Sequence, residues 1–290
     1  MRNKTIQELT ILDDFMFGAV MMEPENCKGL LERILEIPID RVEIDQEKSL
    51  RYHPEYKGVR LDVLAKDDKG TRYNIEMQVK KTPIEKRSRY YHAQMDMDLL
   101  LRGETYEDLP ECYVIFICDY DPMEGKKYRY TIGSHCSEMP EKKITDGVHT
   151  IILSNRGENP KDVPQELVSF LEYTRIATSE DNVASDDILI NQMQESIRRI
   201  KSSREMGERY MKLELLMAEE RREGRKEGRE EGREEGIQEG LQKGRESLVF
   251  ELVRDGLVSP ESAAMKLSCS LEDFQEKMDA YFQKPHEEDY

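Results

Sequence analysis

Three polar side chains, Asp62, Glu76 and Gln78, have the types and the spacing to do chemistry together. They lie in two segments, residues 59–66 and 71–80, in which apolar and polar residues alternate. This alternation predicts two β-strands, each with one apolar and one polar face. All three side chains fall on the polar face, so the pairing of the strands decides whether they meet.

The segment between the two strands, residues 68–70, predicts a tight hairpin that fixes this pairing. A three-residue loop that ends in glycine allows the left-handed conformation that such a turn requires. The resulting register places Asp62 opposite Glu76, and Arg60 opposite Gln78. Like charges directly opposite each other destabilise a sheet by up to about 1 kcal/mol unless something compensates them.

A divalent cation between the two carboxylates would compensate their charge. Mg²⁺ prefers octahedral oxygen ligands, and two carboxylates with waters or a phosphate supply such a set. Asp62 and Glu76 are therefore candidate metal ligands, with Gln78 on the same side of the sheet. The alternative is a solvated strand face on which the carboxylates point apart, and the spacing alone does not decide between the two.

The remaining elements must position this hairpin. Helices are predicted within residues 7–36 and 85–101, and a first strand over residues 41–52. The continuous apolar run at 113–118 predicts a strand covered on both faces. We also expect strands at 128–132 and 150–153, the second of which closes the sheet or adds an edge, and a helix at 163–176.

Several motifs in this region resemble one known protein family. The first is the hairpin, with Asp62 in one strand element and Glu-x-Gln at 76–78 in the next. Further matching motifs follow at residues 90–92, 100–106 and 113–122. In this order they resemble the recombination-promoting nuclease (Rpn-like) family of the PD-(D/E)XK nuclease superfamily, whose members are often labelled transposases. The resemblance covers residues 8–176.

The resemblance implies an α/β fold with a PD-(D/E)XK restriction-endonuclease-like core, a mixed sheet flanked by helices, followed by a helical C-terminal extension. It also implies hydrolysis of DNA phosphodiester bonds that depends on Mg²⁺ or Mn²⁺, with Asp62, Glu76 and Gln78 as catalytic residues and with Asp62 and Glu76 holding the metal. Many superfamily members have lysine where Gln78 stands. Lys80 or a second metal ion would then have to supply the positive charge.

The first helix offers a further acidic group, Asp14. Superfamily nucleases often add an acidic residue from this helix to the metal site, which makes Asp14 a candidate. The chain departs from the family pattern at Gly18, where relatives often have lysine. An exposed helix carboxylate is the alternative for Asp14.

A basic patch follows the second strand. Its members are Lys80, Lys81, Lys86, Arg87 and Arg89, with Glu85 as the one acidic residue among them. Such a patch neutralises phosphates, the main source of sequence-independent DNA affinity, whereas the alternative is a solvated surface. Residues 1–195 carry 26 basic and 38 acidic side chains, so any duplex binding should be weak and salt-sensitive.

The composition describes an acidic chain of 290 residues with a net charge of −17. The start of the chain lacks the apolar core of a signal peptide, and the longest apolar run, residues 112–118, is too short to span a bilayer. We therefore expect a cytoplasmic protein without membrane contact. The five cysteines and five histidines show no ligand spacing, so neither disulfides nor a zinc cluster is indicated.

We expect three regions: a nuclease-like domain at 1–180, a helical region with a charged glycine repeat at 181–247, and a small helix-turn-helix-like tail at 248–290. The repeat has glycine at every fourth position from 224 to 244. Each glycine costs a helix about 1 kcal/mol relative to alanine, and like charges recur four residues apart. The pattern indicates a semi-flexible spacer that becomes helical when packed against a copy of itself.

A homo-oligomer is expected, held by the apolar pattern at 190–217 and by residues 248–280. The tail, with four basic and ten acidic side chains between 248 and 290, suits protein contact at least as well as DNA contact. The rival to a nuclease is a catalytically inactive interaction protein that keeps the nuclease scaffold. The Asp62, Glu76 and Gln78 set favours the enzyme, and the net acidity favours the rival.

Overall fold

The computed structural model describes residues 4–46, 49–50, 59–60, 62–100, 105–178 and 183–283 of the chain. It contains two compact units, Met1–Met211 and Lys212–Tyr290. The sheet and the helices around it form the first unit, and the glycine repeat and the tail belong to the second. None of the described helices combines the length and the apolar character needed to cross a bilayer.

The described part of the first unit contains ten strands, six of which form its main mixed sheet. In chain order the strands are β1 (Val42–Gln46), β2 (Ser49–Leu50), β3 (Val59–Arg60), β4 (Val63–Asp67), β5 (Arg72–Gln78), β6 (Cys112–Cys118), β7 (Arg129–Ile132), β8 (His135–Cys136), β9 (Met139–Lys143) and β10 (Val148–Ser154). The main sheet has the order β1-β4-β5-β6-β10-β7, and β2 with β3 and β8 with β9 form separate two-stranded sheets. Strand β6 is parallel to both β5 and β10, whereas the other pairs are antiparallel.

The described helices include those that flank this sheet in the first unit and those that make up the second unit. They are α1 (Asp14–Met21), α2 (Pro24–Leu35), α3 (Ile84–Leu99), α4 (Gln165–Ile176), α5 (Ile188–Ser202), α6 (Arg204–Arg254), α7 (Pro260–Lys266) and α8 (Leu271–Gln283). Helix α3 covers one face of the sheet, where its Tyr91 and Met95 join a buried cluster with Val114, Phe116 and Ile152. This arrangement of a mixed sheet and flanking helices confirms the predicted α/β core.

The hairpin forms in the predicted register. Val63 pairs with Ile75 and Lys66 with Arg72. Gly70 ends the loop with a φ of +89°, in the region that favours glycine because a side chain would be strained there. The register therefore aligns Asp62, which directly precedes β4, with Glu76.

The first strand of the hairpin is shorter than predicted. The chain bends at Asp62, so residues 59–60 leave the main sheet and Arg60 pairs with Ser49 instead. Gln78 pairs with Cys118 on the opposite side of β5. The predicted pairing of Arg60 with Gln78 is therefore wrong, because the bend ends the ladder between β4 and β5.

The edge of the sheet also differs from the prediction. Strand β10 lies between β6 and β7, which makes β7 the edge strand. The interior position suits β10, because Ile151, Ile152 and Leu153 are all buried and so need cover on both faces. The expectation that this strand closes the sheet or adds an edge is therefore wrong.

Helix α5 packs inside the first unit, against α1 and α2. Its apolar residues Leu189, Met193 and Ile197 are buried, and Arg33 of α2 forms an ion pair with Asp187 at the start of α5, with nitrogen–oxygen distances of 2.7 and 2.8 Å. Much of the apolar pattern expected to hold an oligomer, residues 190–200, is thus occupied by contacts within one chain.

The glycine repeat is part of one continuous helix, α6, which is 51 residues long. The end of α6 packs with α7 and α8 around a small core of its own, formed by Val249, Phe250, Ala263, Ala264 and Phe274. Ser259 caps α7 by accepting a hydrogen bond from the backbone N–H of Ser262 at 3.3 Å. The repeat is therefore helical, and the tail has an ordered apolar core.

Candidate active site

Glu76 is buried inside the first unit, although the face of β5 that carries it consists of polar residues. Strand β5 presents Asn74, Glu76 and Gln78 toward α3, and the exposed fractions of these residues are 0%, 1% and 8%. The helix and the apolar residues of β6 exclude water from this face. A solvated strand face, the alternative left open by the spacing, is therefore wrong for Glu76 and Gln78.

Asp62 is joined to Glu76 through reciprocal backbone contacts. The backbone N–H of Asp62 donates to Oε1 of Glu76 at 3.3 Å, and the N–H of Met77 donates to Oδ2 of Asp62 at the same distance. The bend at Asp62 frees its N–H from the strand ladder, which makes the first of these bonds possible. Each carboxylate is thus tied to the backbone of the other strand, which brings Asp62 and Glu76 together where β4 begins.

Helix α3 adds a cation and a hydroxyl to this pair. Arg87 Nη2 lies 3.3 Å from Oε2 of Glu76 and 2.6 Å from the hydroxyl of Tyr91, which itself donates to Oε2 of Glu76 at 3.4 Å. The other terminal nitrogen of Arg87 donates to Oε1 of Gln78 and, at 3.1 Å, to Oγ1 of Thr82. One guanidinium therefore bridges Glu76 and Gln78.

Arg87 is held in place by packing as well as by hydrogen bonds. Its guanidinium carbon lies 5.3 Å from the centre of the Tyr91 ring and 5.9 Å from that of Phe116. Arg87 and Tyr91 are four residues apart on α3, so they share one face of the helix. That spacing was the available sequence signal for their joint role, whereas Arg87 was predicted only as a member of the basic patch.

Burial raises the pKa of Glu76 to about 7, because the ionised form loses its hydration. Hydrogen bonds from Asn74 and from the backbone of Asp62, together with the charge of Arg87, oppose this rise, whereas the negative charge of Asp14 adds to it. Three carboxylates, those of Asp14, Asp62 and Glu76, thus act electrostatically on a network that contains the guanidinium of Arg87.

Asp14 belongs to the part of α1 that faces this network. A Cβ atom added to Gly18 would lie 3.7 Å from the backbone oxygen of Asp62. Since Asp14 is one helical turn before Gly18, both residues share the face of α1 that meets Asp62. Asp14 itself is exposed, as the alternative of an exposed helix carboxylate expected, and its participation in the site stays a prediction.

The remaining basic residues lie on the surface. Lys80 and Lys81 are exposed just beyond the end of β5, and Lys86 and Arg89 are exposed on α3. Arg87 differs from them, since its side chain is 31% exposed and points into the network of Glu76 and Gln78. The patch therefore consists of four exposed cations beside one half-buried guanidinium.

The donor atoms suit a hard divalent cation. Asp62 and Glu76 offer carboxylate oxygens, Gln78 an amide oxygen, and the buried Oδ1 of Asn74 has no hydrogen-bond partner among the described residues. Oxygen ligands of this kind fit Mg²⁺ or Mn²⁺. In the described part of the chain no group of three acidic, histidine or cysteine residues surrounds a single point, so waters and a phosphate would complete the coordination.

Comparison with known protein families decides the family. The sequence profile of the PD-(D/E)XK nuclease family transposases matches residues 11–221, well over half of the chain. The chain belongs to this family. The match confirms the predicted resemblance to the Rpn-like nucleases, and it includes Asp14, the hairpin and helix α3. Searches of curated proteins and of solved structures give no significant match.

Membership of the PD-(D/E)XK nuclease family transposases assigns this protein a nuclease-type role. Divalent metal ions are typical of PD-(D/E)XK nucleases, which agrees with the oxygen donors around Glu76. The network of this family member also carries an arginine from α3 next to its Glu-x-Gln motif.

In this PD-(D/E)XK nuclease family member, the buried Glu76 should make the stability of the metal-free protein depend on pH. The folded-state pKa of about 7 lies above the ordinary value of 4.5, so the stabilising contribution is complete below about pH 4.5 and is lost as the pH rises through 7. Each pKa unit corresponds to about 1.4 kcal/mol. Between pH 5 and 8 the wild type should therefore lose up to about 3 kcal/mol relative to Glu76→Gln.

Urea denaturation of the two proteins in EDTA measures this loss. The substitution also disturbs the bonds to Arg87 and Tyr91, but that cost is a nearly constant offset and leaves the pH dependence of the difference intact. A difference between wild type and Glu76→Gln that stays constant from pH 5 to pH 8 would show that Glu76 is ionised throughout.

Proposed function

We propose that this protein is an endonuclease that hydrolyses phosphodiester bonds of DNA with the help of Mg²⁺ or Mn²⁺. The observation that carries the proposal is the pairing of Asp62, just before β4, with Glu76 of β5 through the two reciprocal 3.3 Å contacts. Two carboxylates held side by side, with further oxygen donors nearby, are the ligands that a catalytic divalent cation needs.

Each residue of the network has a role in this proposal. Asp62 and Glu76 would hold the cation, and Gln78 would orient the attacking water or the scissile phosphate through its amide. The chemistry that a divalent cation would supply there is activation of a water and stabilisation of the negative charge that develops on the phosphate oxygens. Arg87 supplies the positive charge that Gln78 lacks, because its guanidinium already lies against both Glu76 and Gln78. Lys80, exposed beyond the strand, is left to contact the DNA backbone.

The test is cleavage of supercoiled plasmid at low salt. Mg²⁺ or Mn²⁺ should support nicking or linearisation, whereas Ca²⁺ should support binding without cleavage because it tolerates the same ligands but with looser geometry. Short DNA duplexes and single strands, and the matching RNA, define the preferred substrate. Absence of cleavage with every metal and every substrate would reject the proposal.

We also propose that DNA approaches the site over the exposed lysines Lys80, Lys81 and Lys86. Lys81→Glu combined with Lys86→Glu should weaken binding similarly for all DNA sequences. Loss of two phosphate contacts should reduce the slope of log K against log salt by about 1.8. Filter binding in Ca²⁺ at several salt concentrations measures that slope.

The matched control for this prediction reverses two exposed lysines elsewhere, Lys142→Glu with Lys143→Glu on β9. It changes the net charge equally and should lower affinity far less. If the two double variants lose equal DNA affinity, and Lys81→Glu with Lys86→Glu leaves the salt slope unchanged, the DNA binds to another face.

The rival function is that of an inactive assembly protein on a nuclease scaffold. The observation in its favour is that Arg87 already pairs with Glu76 and Gln78, as a structural ion pair would. Calorimetric titration with Mn²⁺ separates the two functions. Binding that is lost in Asp62→Ala supports the nuclease, and no binding in the wild type supports the rival.

A further inference from the structure

The glycine repeat in α6 is a helix without packing support inside the described chain. A Cβ atom added to Gly224, or to any of the five glycines that follow at intervals of four residues, would meet nothing within 4 Å. Each of these glycines costs the helix about 1 kcal/mol relative to alanine. Neither intrinsic propensity nor contacts within the described chain therefore account for this part of α6.

The repeat divides the surface of α6 into ridges of different charge. Successive residues are rotated by about 100° around a helix, so the residues that follow and precede each glycine lie on opposite sides of the glycine stripe. Among the residues that follow, Arg225, Arg229 and Arg233 form a basic ridge, and the exposed Ile237 and Leu241 continue that side of the helix beyond it. Those that precede form an acidic ridge that includes Glu223, Glu231 and Glu235.

Both ridges are electrostatically unsatisfied within one chain. Neighbours four residues apart carry the same charge in each ridge, which destabilises a helix. In the described part of the chain no ion pair involves Arg225, Arg229 or Arg233, or Glu223, Glu231 or Glu235, whereas Glu239 at the end of the acidic ridge pairs with Lys243 at 2.6 Å. The ion pair of Lys226 with Glu230, at 3.9 Å, lies on the side of the helix away from the glycines.

We propose that a second copy of this chain packs in parallel on this surface of α6. In a parallel pair the two-fold axis runs along the helices, so the basic ridge of one copy faces the acidic ridge of the other. An antiparallel pair would bring arginine to arginine and glutamate to glutamate. The charge pattern is complementary to that of a second copy only when the two helices are parallel. It therefore favours both this partner and the parallel orientation.

The glycines allow the two backbones to approach closely between these ridges. Contacts along rows of residues four apart favour a crossing angle of about −50°, so the contact is local and is centred on Gly228 and Gly232. Residues 221–245 carry eight basic and seven acidic side chains, a balance that suits a copy of the same segment better than a polyanion. The interface lies in the repeat itself, which differs from the spacer role expected from the sequence.

Sedimentation equilibrium of the full-length chain tests the interface. The wild type should be a dimer, and the triple variant Arg225→Glu, Arg229→Glu, Arg233→Glu should raise the dissociation constant by about tenfold or more, because glutamate then faces glutamate. A seven-fold variant that also changes Glu223, Glu227, Glu231 and Glu235 to arginine swaps the ridges. It should dimerise like the wild type, since the parallel pairing remains complementary.

The swapped variant separates the interface from a general effect of charge or helix content, and circular dichroism checks that all three proteins are helical. A monomeric wild type at about 100 μM, or a triple variant that dimerises as tightly as the wild type, overturns the proposal. So does a swapped variant that is monomeric. If the triple variant keeps its mass but loses DNA affinity, the basic ridge binds nucleic acid instead.

Disulfide formation tests the direction. In a background with Cys136→Ser and Cys269→Ser, Gly228→Cys and Gly232→Cys are introduced separately, while the other cysteines are buried. A parallel pair cross-links each variant with itself. Cross-linking only when the two variants are mixed would mean an antiparallel pair and would overturn the proposed direction.

Discussion

Asp62→Asn and Glu76→Gln should each lower the rate of metal-dependent DNA cleavage by about 10³-fold while the protein still folds. Both substitutions remove a negative charge from the proposed metal site but keep an oxygen, which can still accept the backbone N–H of Met77 or of Asp62. A lost ligand removes several kcal/mol of charge stabilisation in the transition state, so the rate should fall by about 10³-fold. Plasmid nicking with Mn²⁺ at low salt measures the rate.

Asp68→Asn is the matched control for these variants. Asp68 lies in the loop of the same hairpin. Its side chain is exposed and is not part of the network of Glu76. The control should cleave like the wild type, and thermal unfolding should show all three variants folded. Wild-type rates in a folded Asp62→Asn or Glu76→Gln protein would remove these residues from the mechanism and with them the proposed nuclease site.

The part of this site that sequence reasoning could predict is governed by local rules. The register that aligns Asp62 with Glu76 follows from a three-residue loop ending in Gly70, because turn length and a positive φ leave few alternatives. Alternation likewise placed Gln78 on the face of Glu76. Both inferences need only a few neighbouring residues.

The rest depends on contacts between distant segments. Arg87 reaches Glu76 only because α3 lies across the polar face of β5, and no pattern within α3 reveals which surface it will cover. The bend at Asp62 is accompanied by the separate pairing of β3 with β2, which lies outside the hairpin. The apolar face of α5 could have served an oligomer as well as a core, and it is the packing on α1 and α2 that decides.

Burial and the charge of Arg87 act in opposite directions on the ionisation of Glu76. Glu76 is buried, which disfavours its ionised form, while Arg87 favours that form. A bound cation would favour the ionised form further, so the guanidinium and the metal act on the same carboxylate. Arg87 is therefore the residue whose loss should change stability, metal affinity and cleavage together.

Arg87→Ala should lower the cleavage rate by about 100-fold, which is the typical effect of losing one charged hydrogen-bond donor from a catalytic site. It should also destabilise the metal-free protein by about 1–3 kcal/mol at pH 8, because Glu76 and Gln78 lose a partner in a buried position. Mn²⁺ should bind more tightly, since a competing positive charge is gone. Cleavage kinetics, urea denaturation and calorimetry measure the three effects.

Arg89→Ala is the matched control, because Arg89 is an exposed arginine two residues further along α3. If both arginines simply contact phosphates, the two variants should lose similar DNA affinity in Ca²⁺ and cleave normally at saturating DNA. If Arg87 acts inside the site, its variant should keep most of its affinity and lose turnover, while Arg89→Ala keeps its turnover.

Arg87→Lys should recover part of the rate, since lysine restores the charge but cannot contact Glu76 and Gln78 with two separate nitrogens. Normal turnover in Arg87→Ala would leave the guanidinium a purely structural role.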